Sequence, residues 1–459
     1  MNLIKKAEET SEQPPIVALL SPFQQFIRNE TSGGLLLLSA TLIALIWANS
    51  PYQAQYVELW KTPLTVGIGT YHLEKSLLHW INDGLMAVFF FVVGLEIKRE
   101  FLVGELSEPR QATLPLAAAL GGMLVPATLY LALNSGQEGE MGWGIPMATD
   151  IAFVLGVLAL LGRAIPLSLK VFLVALAIVD DLATVLVIAL FYSSEISLTN
   201  LAIGGGTLAL LVLGNFLGIR HPMVYGIVGI GGVWLAFLLS GIHATIAGVL
   251  VALTIPARPR IGREEFVHKI EHFLKIFRQI GTPGPSVLAN AKQAEAAEAV
   301  KVSGELVQTP LQRLEHHLQP WVSFVIMPIF ALANAGIPFA QDIGASLMQP
   351  ISLGVIAGLL LGKPVGITVF SWIAVQLGLG KLPEGVGWRH ICGVGCLGGI
   401  GFTMSIFITN LAFRNATFLL SAKAAILLAS LIAGIIGWSI LRLQKGHYGQ
   451  DLSIDEYTK

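Results

Sequence analysis

The sequence predicts an all-α polytopic membrane protein with twelve transmembrane helices. Hydrophobic residues make up 54% of its 459 positions, and charged residues only 12%, against roughly 25% in soluble domains. Twelve segments are long and apolar enough to span a bilayer, and most Lys and Arg residues lie in the loops on one side of them. The net charge of −1 gives no overall bias toward nucleic acid.

A spanning helix needs about 20 mainly apolar residues. The predicted spans, numbered 1 to 12 in chain order, are about 33–50, 77–103, 112–134, 142–162, 169–193, 199–218, 223–239, 241–256, 320–338, 351–377, 388–412 and 417–442. Spans 7 and 8 are kept separate at Ser240 and Gly241 because one span of 34 residues would be far too long for the bilayer.

The placement of Lys and Arg predicts the orientation. With the amino terminus inside, 23 of the 28 basic residues are cytoplasmic and four are outside, and without the long loop before span 9 the ratio is still 14 to four. Both termini are therefore expected to face the cytoplasm. The predicted order is a tail (1–32), spans 1–8 (33–256), a cytoplasmic insertion (257–319), spans 9–12 (320–442) and a second tail (443–459).

Two connections are long enough to carry structure of their own. The outer loop at 51–76 contains an extended-looking stretch from Val57 to Leu73 with Gly67 and Gly69 at its centre, which predicts a β-hairpin. The insertion at 257–319 has apolar residues at helical spacing in EEFVHKIEHFLKIF, followed by a turn-like GTPGPS, an Ala/Glu-rich helical run and PLQRLEHHLQP. This order predicts a small helical hairpin on the cytoplasmic membrane face.

Span 5 carries two adjacent acidic residues, Asp180 and Asp181, near its middle. A charge at the centre of a spanning helix costs roughly 2.5–3.5 kcal/mol on insertion scales, so such residues indicate function. Neighbours on a helix project about 100° apart, so one carboxylate can face a cavity while the other meets a different helix. The alternative, a pair of helix caps at a membrane edge, does not fit the apolar residues on both sides.

Span 4 carries Thr149 and Asp150 just after Gly144 and Pro146. Proline breaks the hydrogen-bond ladder of a helix, and the freed carbonyls, the hydroxyl and the carboxylate are hard oxygen ligands suited to a small cation. The alternative is a proline kink followed by an aspartate that caps a short helix.

Span 11 contains glycines 393, 395, 398, 399 and 401, and span 10 contains Lys363 near its centre. The glycines indicate either an unwound stretch or a close helix-packing face. Lys363 is too far from either end of span 10 to reach water, so it must either find an anionic partner or lose its proton. The two cysteines, Cys392 and Cys396, are too few for a disulfide framework or a metal site.

Several ionisable residues near the ends of spans are weaker candidates. Asp83 lies near the outer end of span 2, and Glu96, Arg99 and Glu100 near its inner end, where they line a funnel or anchor the helix at the headgroups. His243 is either an interfacial packing residue or a regulator. Glu315, His316 and His317 precede span 9 and form either a titrating cluster or a solvated face.

The sequence resembles the bacterial Na⁺/H⁺ antiporters of the NhaA type from about residue 30 to 442. The matching motifs are INDGLMAVFFFVVGLEIKRE, ATDIAFVLGVLALL, ALAIVDDLATV, SGIHAT, LEHHLQPW, FALANAGI, GKPVGI and GGIGFTMSIF. The resemblance implies twelve helices with inverted repeats, in which the broken helices 4 and 11 cross at mid-membrane. It also implies a multi-pass protein of the bacterial inner membrane that forms a homodimer through the outer hairpin.

The resemblance further assigns roles to individual positions. Asp181 would be the principal carboxylate for cation and proton, with Asp150 and Thr149 contributing, and Asp180 would pair with Lys363. The pH-response and funnel positions would be Asp83, Glu96, Arg99, Glu100, His243, Glu315 and His316. The chain departs from the family pattern at Gln319, where a second histidine is expected.

The expected activity is electrogenic, pH-dependent exchange of Na⁺ or Li⁺ for protons by alternating access, for sodium and pH homeostasis. No phosphate-binding glycine motif is present, so neither ATP nor another cofactor is expected, and the partners are lipid and the transported ions. A proton-coupled solute transporter would need aromatic or arginine groups at mid-membrane. An intramembrane aspartyl protease would need aspartates on separate helices within sharing distance, usually in YD and GxGD motifs, and neither motif occurs. A channel would not tolerate a tightly binding Asp–Lys pair.

Overall fold

The chain is a mainly helical, multi-pass membrane protein. The structure, a computed structural model, describes residues 30–68, 71–162, 165–193, 196–279, 291–338 and 343–444. In these ranges eight helices are long and apolar enough to cross a membrane, or ten if two bent helix pairs each count as one span. The predicted tails at 1–32 and 443–459 lie almost entirely outside the described residues.

The eight helices correspond to predicted spans 2–7, 10 and 12, with ends that agree within a few residues. They are Leu77–Val103, Pro109–Asn134, Glu140–Leu161, Leu167–Phe191, Leu198–Phe216, Pro222–Ser240, Pro350–Gln376 and Ala416–Leu443. The bent pairs correspond to span 1, where Glu30–Ala48 is followed by Gln53–Lys61, and to span 11, where Trp388–Gly398 is followed by Phe402–Ala412.

Spans 8 and 9 differ in form from the long spans. Span 8 is a short helix, Thr245–Thr254, whose carboxyl end is capped by Lys98: Nζ donates to the carbonyls of Leu253 (2.6 Å) and Ile255 (2.5 Å). Span 9 continues a helix that begins in the polar insertion at Pro310 and ends at Asn334, with a π-helical turn at Val322–Ile326.

The predicted hairpin is present between spans 1 and 2. Strands β1 (Pro63–Ile68) and β2 (Tyr71–Ser76) pair in antiparallel register, with Pro63 opposite Ser76. The prediction that the extended stretch begins at Val57 is wrong, because Gln53–Lys61 is a helix.

Burial explains why this stretch is helical. The helical spacing of Tyr56 and Trp60 turns both rings inward, and both are buried. The Tyr56 hydroxyl donates to the carbonyl of Leu332 (2.8 Å), and its ring meets that of Trp47 edge-on at 5.5 Å. Packing therefore overrides the local strand propensity.

The chain forms two compact units. One comprises Met1–Ile81, Glu108–Thr184 and Pro320–Lys459, and the other comprises Asn82–Ser107 and Val185–Gln319. Within the second unit, spans 2 and 8 cross closely, since a Cβ on Gly248 would lie 2.2 Å from the carbonyl oxygen of Ala87. The insertion contains the predicted helices, Arg263–Gln279 and Ala291–Val307, and in addition Pro310–Trp321.

Candidate functional site

Spans 4 and 11 are both interrupted near their middles. In span 4, the 3₁₀-helix Glu140–Met147 contains Pro146, which has no N–H to donate, and the backbone is extended from Ala148 until helix Ile151–Leu161 begins. In span 11, helix Trp388–Gly398 ends at consecutive glycines, and the next helix, Phe402–Ala412, leaves at a bend of 45°. The prediction of an unwound stretch at these glycines is confirmed.

The two interruptions lie against each other. The Asp150 N–H donates to the carbonyl of Ile400 (2.7 Å), and the Thr149 hydroxyl donates to the carbonyl of Gly398 (3.0 Å), so polar groups freed at one break satisfy those freed at the other. This approach requires glycine, because a Cβ on Gly401 would lie 2.9 Å from the carbonyl oxygen of Ala148.

The Asp150 carboxylate is buried at the start of two helices. Oδ1 accepts from the N–H of Phe153 (3.1 Å) and so caps helix Ile151–Leu161, while Oδ2 accepts from both the N–H (3.0 Å) and the hydroxyl of Thr403. Because helix amino termini carry partial positive charge, one carboxylate balances two of them. The capping role considered as an alternative for Asp150 is therefore part of its structure.

Lys363 joins span 10 to spans 4 and 5. Its ammonium group is 2.8 Å from Asp180 Oδ2 and 2.9 Å from Thr149 Oγ1, and Lys363 and Asp180 are 1% and 2% exposed. The ion pair implied by the family resemblance is thus present. Thr149 accepts from Lys363 and donates to Gly398, so in this conformation its hydroxyl is engaged by the protein.

Asp181 is buried beside Asp180 in the middle of helix Leu167–Phe191. The two side chains project about 100° apart from the helix, so Asp181 points in a different direction from Asp180 and its ion pair with Lys363. The site therefore contains three buried carboxylates, one ammonium group and the carbonyls of two broken helices, all within one compact unit. Such oxygens suit a small hard cation, and the carboxylates can also hold a proton.

A second cluster of ionisable groups joins span 2 to the insertion in the other unit. Arg99 forms ion pairs with Glu315 and with Glu100, the latter at 3.0 Å, and half-buried Glu96 lies one turn before Glu100. Burial raises the pKa of the Glu315 carboxyl, while the Arg99 guanidinium acts in the opposite direction. Four of the predicted pH-response residues thus form one group.

The other predicted pH-response residues lie outside this group of ion pairs. His316 and His317 are exposed, with ring centroids 6.3 Å apart. His243 contacts the carbonyl oxygen of Tyr192 through Nε2 at 2.7 Å. Asp83 lies in a π-helical stretch about 20 Å along span 2 from Glu96, and its backbone carbonyl accepts from Trp234.

Sequence reasoning missed two hydroxyl residues near the site. Thr403 makes two contacts with Asp150, and its only sequence signal is its place just after the glycines of span 11. Thr184 is buried three positions after Asp181 on the same helix. The i, i+3 spacing on a helix was sufficient to identify it.

Comparisons with known proteins agree with the residue pattern. A family model described as Na⁺/H⁺ antiporter 1 matches residues 24–441. The Na⁺/H⁺ antiporter NhaA of Oleidesulfovibrio alaskensis is 52% identical over 429 residues, which cover 94% of this chain and 95% of the relative. The NhaA 2 protein of Syntrophotalea carbinolica is 51% identical over 428 residues, covering 93% and 97%, and the NhaA of Koribacter versatilis is 48% identical over 431 residues, covering 94% and 93%.

Proposed function

The chain belongs to the Na⁺/H⁺ antiporter 1 family and is a sodium/proton antiporter, and we propose that Asp181 is the carboxylate for which the two ions compete. The observation that carries this proposal is the buried Asp180–Asp181 pair at mid-helix, in the same compact unit as two broken helices in contact. Asp180 is neutralised by Lys363, so Asp181 is the member of the pair that can bind a cation or a proton.

Competition between Na⁺ and H⁺ for one carboxylate explains how the two ions are exchanged without ATP. A sodium ion that binds Asp181 from the cytoplasm displaces its proton, and a proton that binds from outside displaces the sodium ion. Alternating exposure of the site to the two sides then couples the two fluxes. Li⁺ has the same charge and the same preference for oxygen ligands, and we include it as a substrate.

Asp150 and Thr149 support the cation in this proposal rather than hold it alone. Asp150 supplies a buried carboxylate beside the break in span 4, and Thr149 supplies a hydroxyl oxygen. The Thr149 hydroxyl now accepts from Lys363, so it becomes a cation ligand when the ammonium group withdraws.

Lys363 and Asp180 give a route to electrogenic exchange. Entry of a cation repels the nearby ammonium group, and a proton released from Lys363 leaves the lysine neutral while the cation balances Asp180. Two protons would then leave for each sodium ion that binds, one from Asp181 and one from Lys363. An inside-negative membrane potential would drive sodium extrusion under this stoichiometry.

The remaining expectations concern topology, regulation and assembly. We propose twelve spans with inverted repeats in the bacterial inner membrane, both termini in the cytoplasm, and a homodimer formed through the outer hairpin. The group formed by Glu96, Arg99, Glu100 and Glu315, together with Asp83, His243 and His316, is proposed to set the pH response, which is supported by the ion pairs of Arg99.

Transport in sealed proteoliposomes tests the roles of the carboxylates. Asp181→Asn is expected to abolish Na⁺-driven proton movement, because an amide neither releases a proton nor supplies a full charge. Asp150→Asn should raise the half-saturating Na⁺ concentration but leave some transport. Glu264→Gln, at an exposed position of helix Arg263–Gln279, is the matched control and should exchange like the wild type. Wild-type rates in the Asp181→Asn protein would disprove the assignment.

A further inference from the structure

Thr184 carries a buried hydroxyl that the proposed function does not yet use. It lies one helical turn beyond the two aspartates of span 5 and is 2% exposed. Its Oγ1 has no hydrogen-bond partner among the residues that the structure describes. An unpartnered buried hydroxyl destabilises a fold, so its presence beside an ion site requires an explanation.

Three other threonines of the membrane helices make a hydrogen bond that Thr184 lacks, whereas Thr368 on span 10 resembles Thr184 in having no partner for its hydroxyl among the described residues. The hydroxyls of Thr41, Thr113 and Thr409 each donate to the carbonyl oxygen four residues earlier, at 2.8, 2.6 and 2.8 Å. This back-bonding is the usual solution for a threonine inside a helix. The corresponding carbonyl for Thr184 is that of Asp180, and the hydroxyl of Thr184 makes no such bond.

Helix geometry places Thr184 over the space between the two aspartates. With about 100° per residue, Thr184 projects roughly 40° from Asp180 and roughly 60° from Asp181, in the sector between them. Residues three and four positions apart lie about 5–6 Å from one another at Cβ, which is within reach of a shared ion. On the amino-terminal side, the same sector is occupied by Ala177, which offers no oxygen.

We propose that Thr184 Oγ1 is a ligand of the transported cation, bound together with Asp181 on the carboxyl-terminal side of the aspartate pair. Hydroxyl oxygen is a hard neutral donor of the kind that small cations take alongside carboxylate. The second carboxylate oxygen of Asp180, Oδ1, also has no hydrogen-bond partner among the described residues. This inference rests on the proposed role of Asp181.

Removal of the hydroxyl without a change of shape tests the inference. Thr184→Val is expected to raise the half-saturating Na⁺ concentration in proteoliposomes by about tenfold, the loss expected for one interaction with a charged group. The maximal rate should be retained, and the increase should be the same at each pH because the hydroxyl does not titrate. Thr184→Ser, which keeps the hydroxyl, should stay within about threefold of the wild type.

Ser430→Ala is the matched control, because Ser430 on span 12 also has a buried hydroxyl without a partner among the described residues. It should leave the half-saturating Na⁺ concentration unchanged. The melting temperature of Thr184→Val should equal or exceed that of the wild type. If the valine variant does not fold, Thr184→Ala removes the same hydroxyl and is expected to give the same increase.

Two results would overturn the inference. One is wild-type half-saturation in a folded variant that lacks the hydroxyl, and the other is an equal loss in Thr184→Ser and Thr184→Val, which would indicate a role for shape alone. The proposed role of Asp181 is tested separately: an inactive Asp181→Asn protein together with an unaffected Thr184→Val protein would reject only the hydroxyl ligand.

Discussion

The ion pair of Lys363 and Asp180 can be tested by removing each charge alone and both together. Lys363→Met keeps an unbranched side chain of similar length, and Asp180→Asn keeps the shape of the carboxylate. Each single change leaves one charge without its counterion in a site where both residues are almost fully buried. The double change removes both charges, so no uncompensated charge remains.

The structure sets the expected magnitudes. Removal of one partner of a buried ion pair costs about 3–5 kcal/mol, so additive effects would sum to about 6–10 kcal/mol in the double variant. We expect the free energy of unfolding of the double variant to fall by only about 1 kcal/mol. Apart from the ion pair, this variant loses one hydrogen bond, from Lys363 to Thr149 at 2.9 Å. The double variant should therefore be more stable than either single variant.

Thermal unfolding of the purified proteins in detergent gives the order of stabilities. The matched control is the exposed pair Lys301 and Glu298, at 3.3 Å, for which the coupling should be below about 1 kcal/mol. In proteoliposomes, the double variant should exchange through Asp181 but lose its response to an imposed membrane potential. Strictly additive losses of stability at Lys363 and Asp180 would refute the reasoning.

Three further predictions follow from other parts of the structure. Burial raises the pKa of Glu315 from its ordinary value of 4.5, so its contribution to stability is complete below pH 4.5 and is lost as pH rises through the raised pKa. Glu315→Gln should therefore reduce the decline in melting temperature with rising pH, and a wild-type slope in this variant would contradict the prediction. Gly401→Ala should lower stability and transport together, because its Cβ would lie within 3 Å of the span 4 backbone, whereas Gly206→Ala, with nothing within 4 Å, should do neither. The paired changes Leu64→Glu and Val66→Glu on exposed strand β1 should lower the dimer fraction seen by light scattering, and an unchanged mass would place the dimer contact elsewhere.

Features with a strong local cause were predictable from the sequence. Pro146 and the glycines at 398, 399 and 401 predict the breaks in spans 4 and 11, because each removes a donor or weakens a helix regardless of its neighbours. Hydropathy predicts the long spans for a similar reason. The partner of Lys363 was implied by family resemblance, and the cost of an isolated buried charge explains why one must exist.

Features decided by distant contacts were not predictable in this way. Helix Gln53–Lys61 depends on the burial of Tyr56 against span 9, which is more than 250 positions away in the chain. The contact between Thr403 and Asp150 joins residues 253 positions apart. Hydropathy gave no sign that span 9 begins as a polar helix at Pro310, because the change from polar to apolar occurs within one continuous helix.

The position of Asp150 at two helix starts has a genetic consequence. The Asp150 carboxylate is a proposed ion ligand and also accepts hydrogen bonds from the helix starts of spans 4 and 11. Selection therefore cannot change ion binding at this residue without also changing the contact between the two spans. A lineage that replaced Asp150 would have to restore a cap for each helix as well as an ion ligand. Second-site suppressors of an Asp150 variant should therefore arise at Thr403, whose side chain makes part of this contact, rather than among the other carboxylates.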